Sequence, residues 1–597
     1  MRLARFVAHP RHACARSKRA GRWLLLLLLS LIYLLPGLVG HDPWKQDETY
    51  VTSIIYHLAQ TEDWIVPHSA GVPFVEKPPL YFLVAEEAAD LLAPWLPLHD
   101  AARLVNVLWM LIVLGCLALA AAHTWPQAAN PSAAAVLTLL SCIGLVVDAH
   151  LLVVDVALLA GFALALLGLC LIRDQPVRGG LLLGTGVGLG FLAKGLLAPG
   201  CLGATALLLP ALFAPWRTRA YARGLAIAAI VALPWLIVWP AALYLRAPEL
   251  FAHWLWQQNV GRFLGYAHLG AEPVPWYYAK TLPWFAFPAL PLALWTLWRR
   301  RALWRHDPTL QLAVVLAVVI LATLSIAGSM RALYLLPVLL PLSLLAGAEL
   351  EALPQGIQRL SATAAYMVCG ALAILLWGMC LLIALNGALP AWLPLDRLLP
   401  SSFVPRARPW AVTVAVLASL AWLAAIRWIN RTRLAGVLEW TLGVTLTWVL
   451  VATLWMPWIN AAKSYRAMFE EMRAHLPLTF DCVNSVHLGE SEAAMLEYEG
   501  GIIAIPVVKY AQAQCQLLWI QSTQLDPAAP PAVDWGLIWS GHRPGDRKEL
   551  HALYTHVTPS SQPRIDYAWD QHHAWRGPAI PVLHFVNERT DIESLSS

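Results

Sequence analysis

Apolar residues run along this chain in blocks of about twenty, then give way near residue 457 to shorter alternating runs. A helical block of that length crosses the ~30 Å hydrocarbon core of a bilayer. Blocks near 23–40, 104–122, 132–147, 153–172, 179–193, 196–214, 224–242, 284–298, 309–327, 332–348, 363–385, 410–426 and 435–456 predict about thirteen transmembrane helices. Between the first two, Val51, Ile54, Ile55 and Leu58 recur at i, i+3, i+4 and i+7. That spacing predicts an amphipathic helix lying on the bilayer surface. Tyr81 to Leu92, carrying Glu86, Glu87 and Asp90, predicts a second interfacial helix. Beyond residue 457, the runs Val483 to Leu488, Ile502 to Val508, Leu517 to Ile520 and Ala579 to Val586 predict strands, while Ser491 to Glu499 and Arg547 to Tyr554 are helix-compatible. The expected organisation is a transmembrane domain over 1–456, with outer loops 41–103 and 243–283, and a soluble α/β domain over 457–597. A further loop over 386–409 is proline-rich.

Composition agrees with this pattern. Hydrophobic residues make up 59% and charged residues 13%, the latter about half the ~25% of soluble domains. The class is a polytopic α-helical membrane protein, and no basic stripe marks a nucleic-acid partner. The net charge of +5 matters less than its placement. Arg2, Arg5, Arg11, Arg16, Lys18, Arg19 and Arg22 put the N-terminus in the cytoplasm by the positive-inside rule. Arg217, Arg219 and Arg223, then Arg299, Arg300, Arg301 and Arg305, then Arg427, Arg431 and Arg433 fall on the same side by parity. Both long loops and the C-terminal domain are therefore expected on the outer face. The first apolar block lacks a small-x-small cleavage site and reads as an uncleaved anchor. Of nine cysteines, Cys482 and Cys515 are the two in the C-terminal domain. They could bridge in an oxidising compartment, but the sequence leaves the geometry open.

The outer loops hold most of the chemistry. Asp47-Glu48 opens the first interfacial helix, and Glu76-Lys77-Pro78-Pro79 holds a charged pair on a stiff backbone. Asp47 also stands where an N-cap would, so capping is the alternative use of its carboxylate. The loop 243–283 contributes Arg262 and His268. Asp155 begins an apolar block, where an unpaired carboxylate is costly unless it has a function or a wet surface. Lys194 follows another block. No tight His/Cys/acid spacing indicates a metal centre, and no other cofactor is implied.

These residues sit in motifs. An acid pair after the first span is followed by Asp63-Trp64-Ile65-Val66-Pro67 and by Gly71-Val72-Pro73-Phe74 leading to Glu76-Lys77-Pro78-Pro79-Leu80-Tyr81. Then come Gly190-Phe191-Leu192-Ala193-Lys194-Gly195, Arg262-Phe263 with Pro275-Trp276-Tyr277-Tyr278, and Tyr334-Leu335-Leu336-Pro337. In this order, over roughly the first 460 residues, they resemble the polyprenyl-phosphate-dependent membrane glycosyltransferases of the GT-C type, in particular the lipid A aminoarabinose transferase branch related to protein O-mannosyltransferases.

The resemblance implies an inverting transferase of the bacterial inner membrane. Its partners would be a polyprenyl-phosphate-linked sugar donor, a lipid or protein acceptor, and the membrane lipids. It implies Asp47 as the catalytic carboxylate with Glu48 and Glu76 secondary, Lys77 and Arg262 as the phosphate grip, and Tyr334 in the substrate cavity, to which Glu76, His268, Tyr50 and Asp155 are added by their own placement. Two positions depart from the family pattern. Tyr50 stands where an arginine is expected after the acid pair, and Met330 where a lysine is expected, with Arg331 as the nearby basic residue. Two alternatives remain open at this level. One is an O-glycosyltransferase of the same fold acting on protein or glycan. The other is a lipid-linked sugar transporter or flippase, which should show midplane charges and internal repeats.

Overall fold

The computed structural model describes residues 10–267, 274–386, 398–400, 403, 408–429, 432–523 and 534–556. His268, most of the loop 386–409 and the strand expected at 579–586 lie outside the described residues. The chain forms two compact units. The first comprises residues up to Ala467 together with Glu490–Gly501 and Arg543–Arg547, and the second is built from Met468–Gly489, Ile502–His542 and the described residues from Lys548 onward.

The first unit is helical. Among the described residues, eight helices are long and apolar enough to cross a membrane, from Leu98–Thr124 to Ala435–Lys463, and shorter apolar helices such as Asp155–Leu171 accompany them. The expected class therefore holds, a helical membrane protein with a small C-terminal sheet. Two expected spans are interrupted. The run 132–147 divides at Ser141-Cys142 into Pro131–Leu140 and Ile143–Asp148. The run 284–298 becomes the helices Tyr277–Phe285 and Ala289–Arg299, because Pro288 and Pro291 cannot donate backbone bonds and so suit a helix start. Eleven residues rise only about 16 Å, half a bilayer.

Glycine decides how the helices nearest the candidate chemistry meet. A Cβ at Gly161 would come 2.7 Å from the backbone nitrogen of Gly190, and one at Gly168 would come 2.5 Å from that of Leu183. Asp155–Leu171 and Pro176–Lys194 thus pack backbone against backbone, as small residues allow in membranes. Because the two run antiparallel, the first residue of one (Asp155) meets the last of the other (Lys194).

The second unit carries a five-stranded sheet in the order Ala504–Pro506, Val483–Val486, Leu517–Ser522, Leu550–His556, Trp535–His542. The first three strands are parallel and the last two join antiparallel. Pro506, unable to donate to a ladder, lies on an edge strand. Cys482 and Cys515, 5.0 Å apart at Cα, form a disulfide immediately before two neighbouring strands. The helix-compatible reading of 547–554 is corrected, since Leu550–His556 is a strand paired with both Leu517–Ser522 and Trp535–His542. Ala552 and Tyr554 face the apolar cluster with Leu518, Ile520 and Trp535, a period of two that the polar residues of the stretch concealed. Ser491 to Glu499 is helical as expected, over Glu490–Tyr498.

The helix expected on the bilayer surface is instead enclosed by protein. In Asp47–Thr61, ten residues from Glu48 to Leu58 are buried, including Glu48, Thr49, Thr52, Ser53 and His57. The helix Glu490–Tyr498 covers its polar side. Ser53 Oγ donates to Glu497 Oε2 at 2.6 Å, Lys45 pairs with Glu492 at 2.5 Å, and Ser491 Oγ donates to the Gln46 carbonyl at 3.3 Å. Beneath the start of the helix lies Arg103, fully buried. Its Nε donates to Glu48 Oε1 at 2.9 Å, and its Nη1 donates to Asp100 Oδ1 at 2.9 Å and to the Leu38 carbonyl at 3.0 Å. Glu48 also accepts from the backbone N–H of Leu152 at 2.9 Å and of Trp44 at 3.1 Å. One ion pair therefore ties the end of the first span, the helix start at Asp47 and the approach to Asp155. Replacing Arg103 by methionine strands two buried carboxylates, and stability should fall by about 3–5 kcal/mol. Thermal unfolding in detergent checks this, with the expectation that the double variant Arg103→Met/Glu48→Gln recovers part of the loss.

Candidate active site

Asp47 is the first helical residue of Asp47–Thr61, with Gln46 at the cap position, and its side chain makes no capping bond. The capping use is thereby corrected. Its carboxylate accepts both arms of Arg331, with Nη1 2.9 Å from Oδ1 and Nη2 on Oδ2, and the Tyr50 hydroxyl donates to Oδ1 at 2.6 Å. A two-armed guanidinium fixes the plane of the carboxylate as well as its charge. Lys77 lies 3.9 Å from the same oxygen, donates to the Tyr50 hydroxyl, and stands 4.5 Å from the Tyr50 ring centroid. Burial alone would raise the pKa of Asp47, but the charge of Lys77 and the bonds and charge of Arg331 outweigh it and hold the carboxyl well below the usual range. Tyr50 and Arg331, the two departures from the family pattern, thus serve one carboxylate.

Glu76 gathers the two cations of the expected phosphate grip. Its Oε1 is 2.5 Å from Arg262 Nη1 and 3.8 Å from Lys77 Nζ. Burial pushes its pKa up, yet Lys77 first and Arg262 second bring it below its ordinary value. Lys77 shows the reciprocal effect. Burial lowers its pKa, but Glu76 and then Asp47 raise it further, so it stays charged. Arg262 follows directly on a wide-turned π-helix, His253–Gly261, a geometry that recurs where a helix must re-aim a side chain at a site.

The glycine-packed helix pair supplies the third part. Lys194 bonds Asp155 at 2.5 Å and stands 4.0 Å from the centroid of the Tyr334 ring. Tyr334 lies in the tight turn Ala332–Val338, three residues after Arg331. Four cations and three carboxylates therefore surround two tyrosines.

Glu48 does not join them, because both its oxygens are used by Arg103, Leu152 and Trp44. Glu490, absent from the expected set, feels the charge of Glu76 and Asp47. It is accessible to solvent, and its pKa is pushed up to about 7, first by the protein around it and then by Glu76, with Asp47 adding and Lys77 opposing. No local pattern in Ser491 to Glu499 distinguishes it from an ordinary solvated helix start. Among the described residues, no group of three His, Cys, Asp or Glu side chains is arranged to hold a metal ion.

No protein-family model matches the chain. The chain is 30% identical over 375 residues to undecaprenyl phosphate-alpha-4-amino-4-deoxy-L-arabinose arabinosyl transferase 1 of Pseudomonas fluorescens Pf-5, a match covering 57% of this chain and 62% of that one. It thus spans a little less than two thirds of that relative. The corresponding transferase of Pseudomonas aeruginosa UCBPP-PA14 is 29% identical over 462 residues, 73% of this chain and 76% of the relative. The crystal structure of ArnT from Cupriavidus metallidurans bound to undecaprenyl phosphate superposes with a TM-score of 0.64 at 19% identity, covering 89% of this chain and 98% of that one. The chain accordingly has the fold of ArnT and is a sequence relative of the undecaprenyl phosphate-aminoarabinose arabinosyl transferases.

Proposed function

We propose that this protein is an inner-membrane glycosyltransferase that moves a sugar from an undecaprenyl-phosphate donor to an acceptor at the periplasmic face, with aminoarabinose transfer to lipid A as the reaction. The observation that carries this reading is the pairing of two unlike anion sites. Asp47 is locked and ionised between Arg331 and Tyr50, while Glu76 draws Lys77 and Arg262 to one point. The relatives' lipid-phosphate donor supplies the anion that such a point would take.

In the proposed reaction an acceptor oxygen bonds to the sugar's anomeric carbon as the bond from that carbon to the phosphate oxygen breaks. The electron pair leaves with the lipid phosphate, and the configuration inverts. Lys77 and Arg262 neutralise the charge growing on the departing phosphate, where donors already in place are worth most. Glu76 competes for both cations, so donor binding exchanges one anion for another. Asp47 is a weak proton acceptor, because an efficient general base has a pKa near the working pH and Asp47 is held far below it. Its role is to orient the acceptor and to balance positive charge on the sugar. A phosphate acceptor brings no proton to remove, which suits a carboxylate of this kind. Glu48 acts as a positioning residue through Arg103, and Tyr334, with Lys194 over its ring, forms the wall beside the sugar. In this reading the N-terminus is cytoplasmic and the second unit periplasmic, as the basic clusters predict.

Mass spectrometry of lipid A and of the polyprenyl-phosphate pool, from cells with and without the protein, tests the proposal. Deletion should remove a sugar from lipid A and accumulate its lipid-linked form, and unchanged pools would sink it. Lys77→Ala and Arg262→Ala should each weaken donor use by roughly one to two orders of magnitude, since a hydrogen bond to a charged group is worth ~1.5–3 kcal/mol. Donor titration of the purified variants reads this directly. For Asp47→Asn, turnover should fall by about 10²-fold, the scale of losing one preset electrostatic group, with donor affinity kept. Because the pKa of Asp47 is depressed, its carboxylate is ionised throughout neutral and mildly acidic pH. Its stabilising contribution is present above the unfolded value of about 3.9 and is lost only as the pH falls below that. Rate and melting profiles from pH 8 to 5 should therefore show no inflection that Asp47→Asn removes.

A further inference from the structure

Resting on that reading, we infer that Asn259 is a positioning residue: its side-chain amide clamps the Arg262-bearing loop to the Lys194-Gly195 turn and so fixes Arg262 of the phosphate grip relative to Lys194, which backs the Tyr334 wall beside the sugar. The clamp starts at a turn. Lys194 is the last residue of its helix, and the chain leaves through Gly195 at φ +68°, a region that side chains with a Cβ rarely adopt. A Cβ at Gly195 would come 2.5 Å from Asn259 Oδ1. That closeness exists because Asn259 Oδ1 accepts the backbone N–H of Leu196 at 3.2 Å. The other end of the same amide donates to the Trp254 carbonyl at 2.9 Å.

One end therefore satisfies a backbone donor beside a helix break, and the other holds a carbonyl inside the π-helix. Leu196 follows the turn that breaks a helix, where its N–H has lost the usual partner. Trp254 and Asn259 both lie in the π-helix His253–Gly261, which ends at Arg262. Trp254 is itself anchored, buried among Phe191, Trp239 and Val66. Asn259 is thus a strut between a fixed point in the loop and the turn after Lys194, three residues before the guanidinium that meets Glu76. Lys194 and Arg262 approach Tyr334 from different elements, and the clamp joins those two elements beside the site. The mechanism above makes no use of Asn259 or Gly195. The amide matches its task, one acceptor and one donor on a short stem, and alanine offers neither.

The test uses the full-length protein in lipid nanodiscs with undecaprenyl phosphate as the binding probe. Asn259→Ala should weaken undecaprenyl phosphate binding and raise KM for the lipid-linked donor by about tenfold, as expected for one lost polar strut, while kcat changes by less than about threefold. Hydrogen exchange at the Leu196 amide should accelerate, with helices away from the site unchanged and the melting temperature kept. Gly195→Ala should be damaging in both backgrounds, because φ +68° strains any residue with a Cβ, but less so beside Asn259→Ala, where the clash with the Asn259 side chain is gone; that non-additive difference is the signature of direct coupling. Asn259→Asp, which keeps the acceptor toward Leu196, should restore protection of that amide. Wild-type protein that binds no undecaprenyl phosphate would overturn the proposed function and the clamp with it. Wild-type binding that is matched by Asn259→Ala, or additive losses in the cycle, would overturn the clamp alone.

Discussion

A guanidinium with no access to water has to be neutralised by neighbours, and in this protein the neighbours of Arg103 are what hold the outer-loop machinery together. Arg103 reaches Glu48, Asp100 and the carbonyl of Leu38 at 2.9–3.0 Å. Glu48 in turn takes the backbone N–H groups of Leu152 and Trp44. Separating such a pair leaves an uncompensated charge in a low-dielectric interior, which costs far more than an exposed ion pair gains. The spans and loops it joins are therefore obliged to keep one arrangement. Asp47, the next residue along the helix, inherits that rigidity.

On this base the site is a balance of charges in which each cation is already held by an acid. Arg331 and Tyr50 take Asp47, Glu76 takes Arg262 and approaches Lys77, and Asp155 takes Lys194. Pairing keeps Asp47, Glu76 and Lys77 ionised despite burial. Under the proposed function, a lipid phosphate would meet donors whose reorganisation has been met during folding, the condition under which electrostatic catalysis is efficient. The glycine contacts between Asp155–Leu171 and Pro176–Lys194 belong to the same logic, since only a close backbone approach brings the ends of two helices within reach of one salt bridge.

Much of this was legible from local pattern. A transmembrane block announces itself because twenty apolar residues match a fixed bilayer thickness, and Asp47, Glu76, Lys77 and Arg262 stood out because charge is scarce in such a chain. Burial of the helix Asp47–Thr61 was not legible. Val51, Ile54, Ile55 and Leu58 make the same stripe whether the opposite face meets water or, as here, the helix Glu490–Tyr498. Nor could adjacency separate Asp47 from Glu48. Side chains one residue apart on a helix point about 100° apart, so one enters the site and the other turns inward to Arg103.

The sequence by itself determined the class, which loops carry the clustered charges, and the family likeness, because these depend on composition, run length and short motifs that act over a few residues. Tertiary structure alone decided which acid met which base. It brought Arg331 to Asp47 across 284 positions and Lys194 to Asp155 across 39. It turned Leu550–His556 into a strand by giving it two neighbours, and it placed Glu490 in the field of Glu76 and Asp47. The physical reason is that coulombic and hydrogen-bonding energies depend on distance in space, and the chain's local periodicities carry no record of which distant segment will arrive.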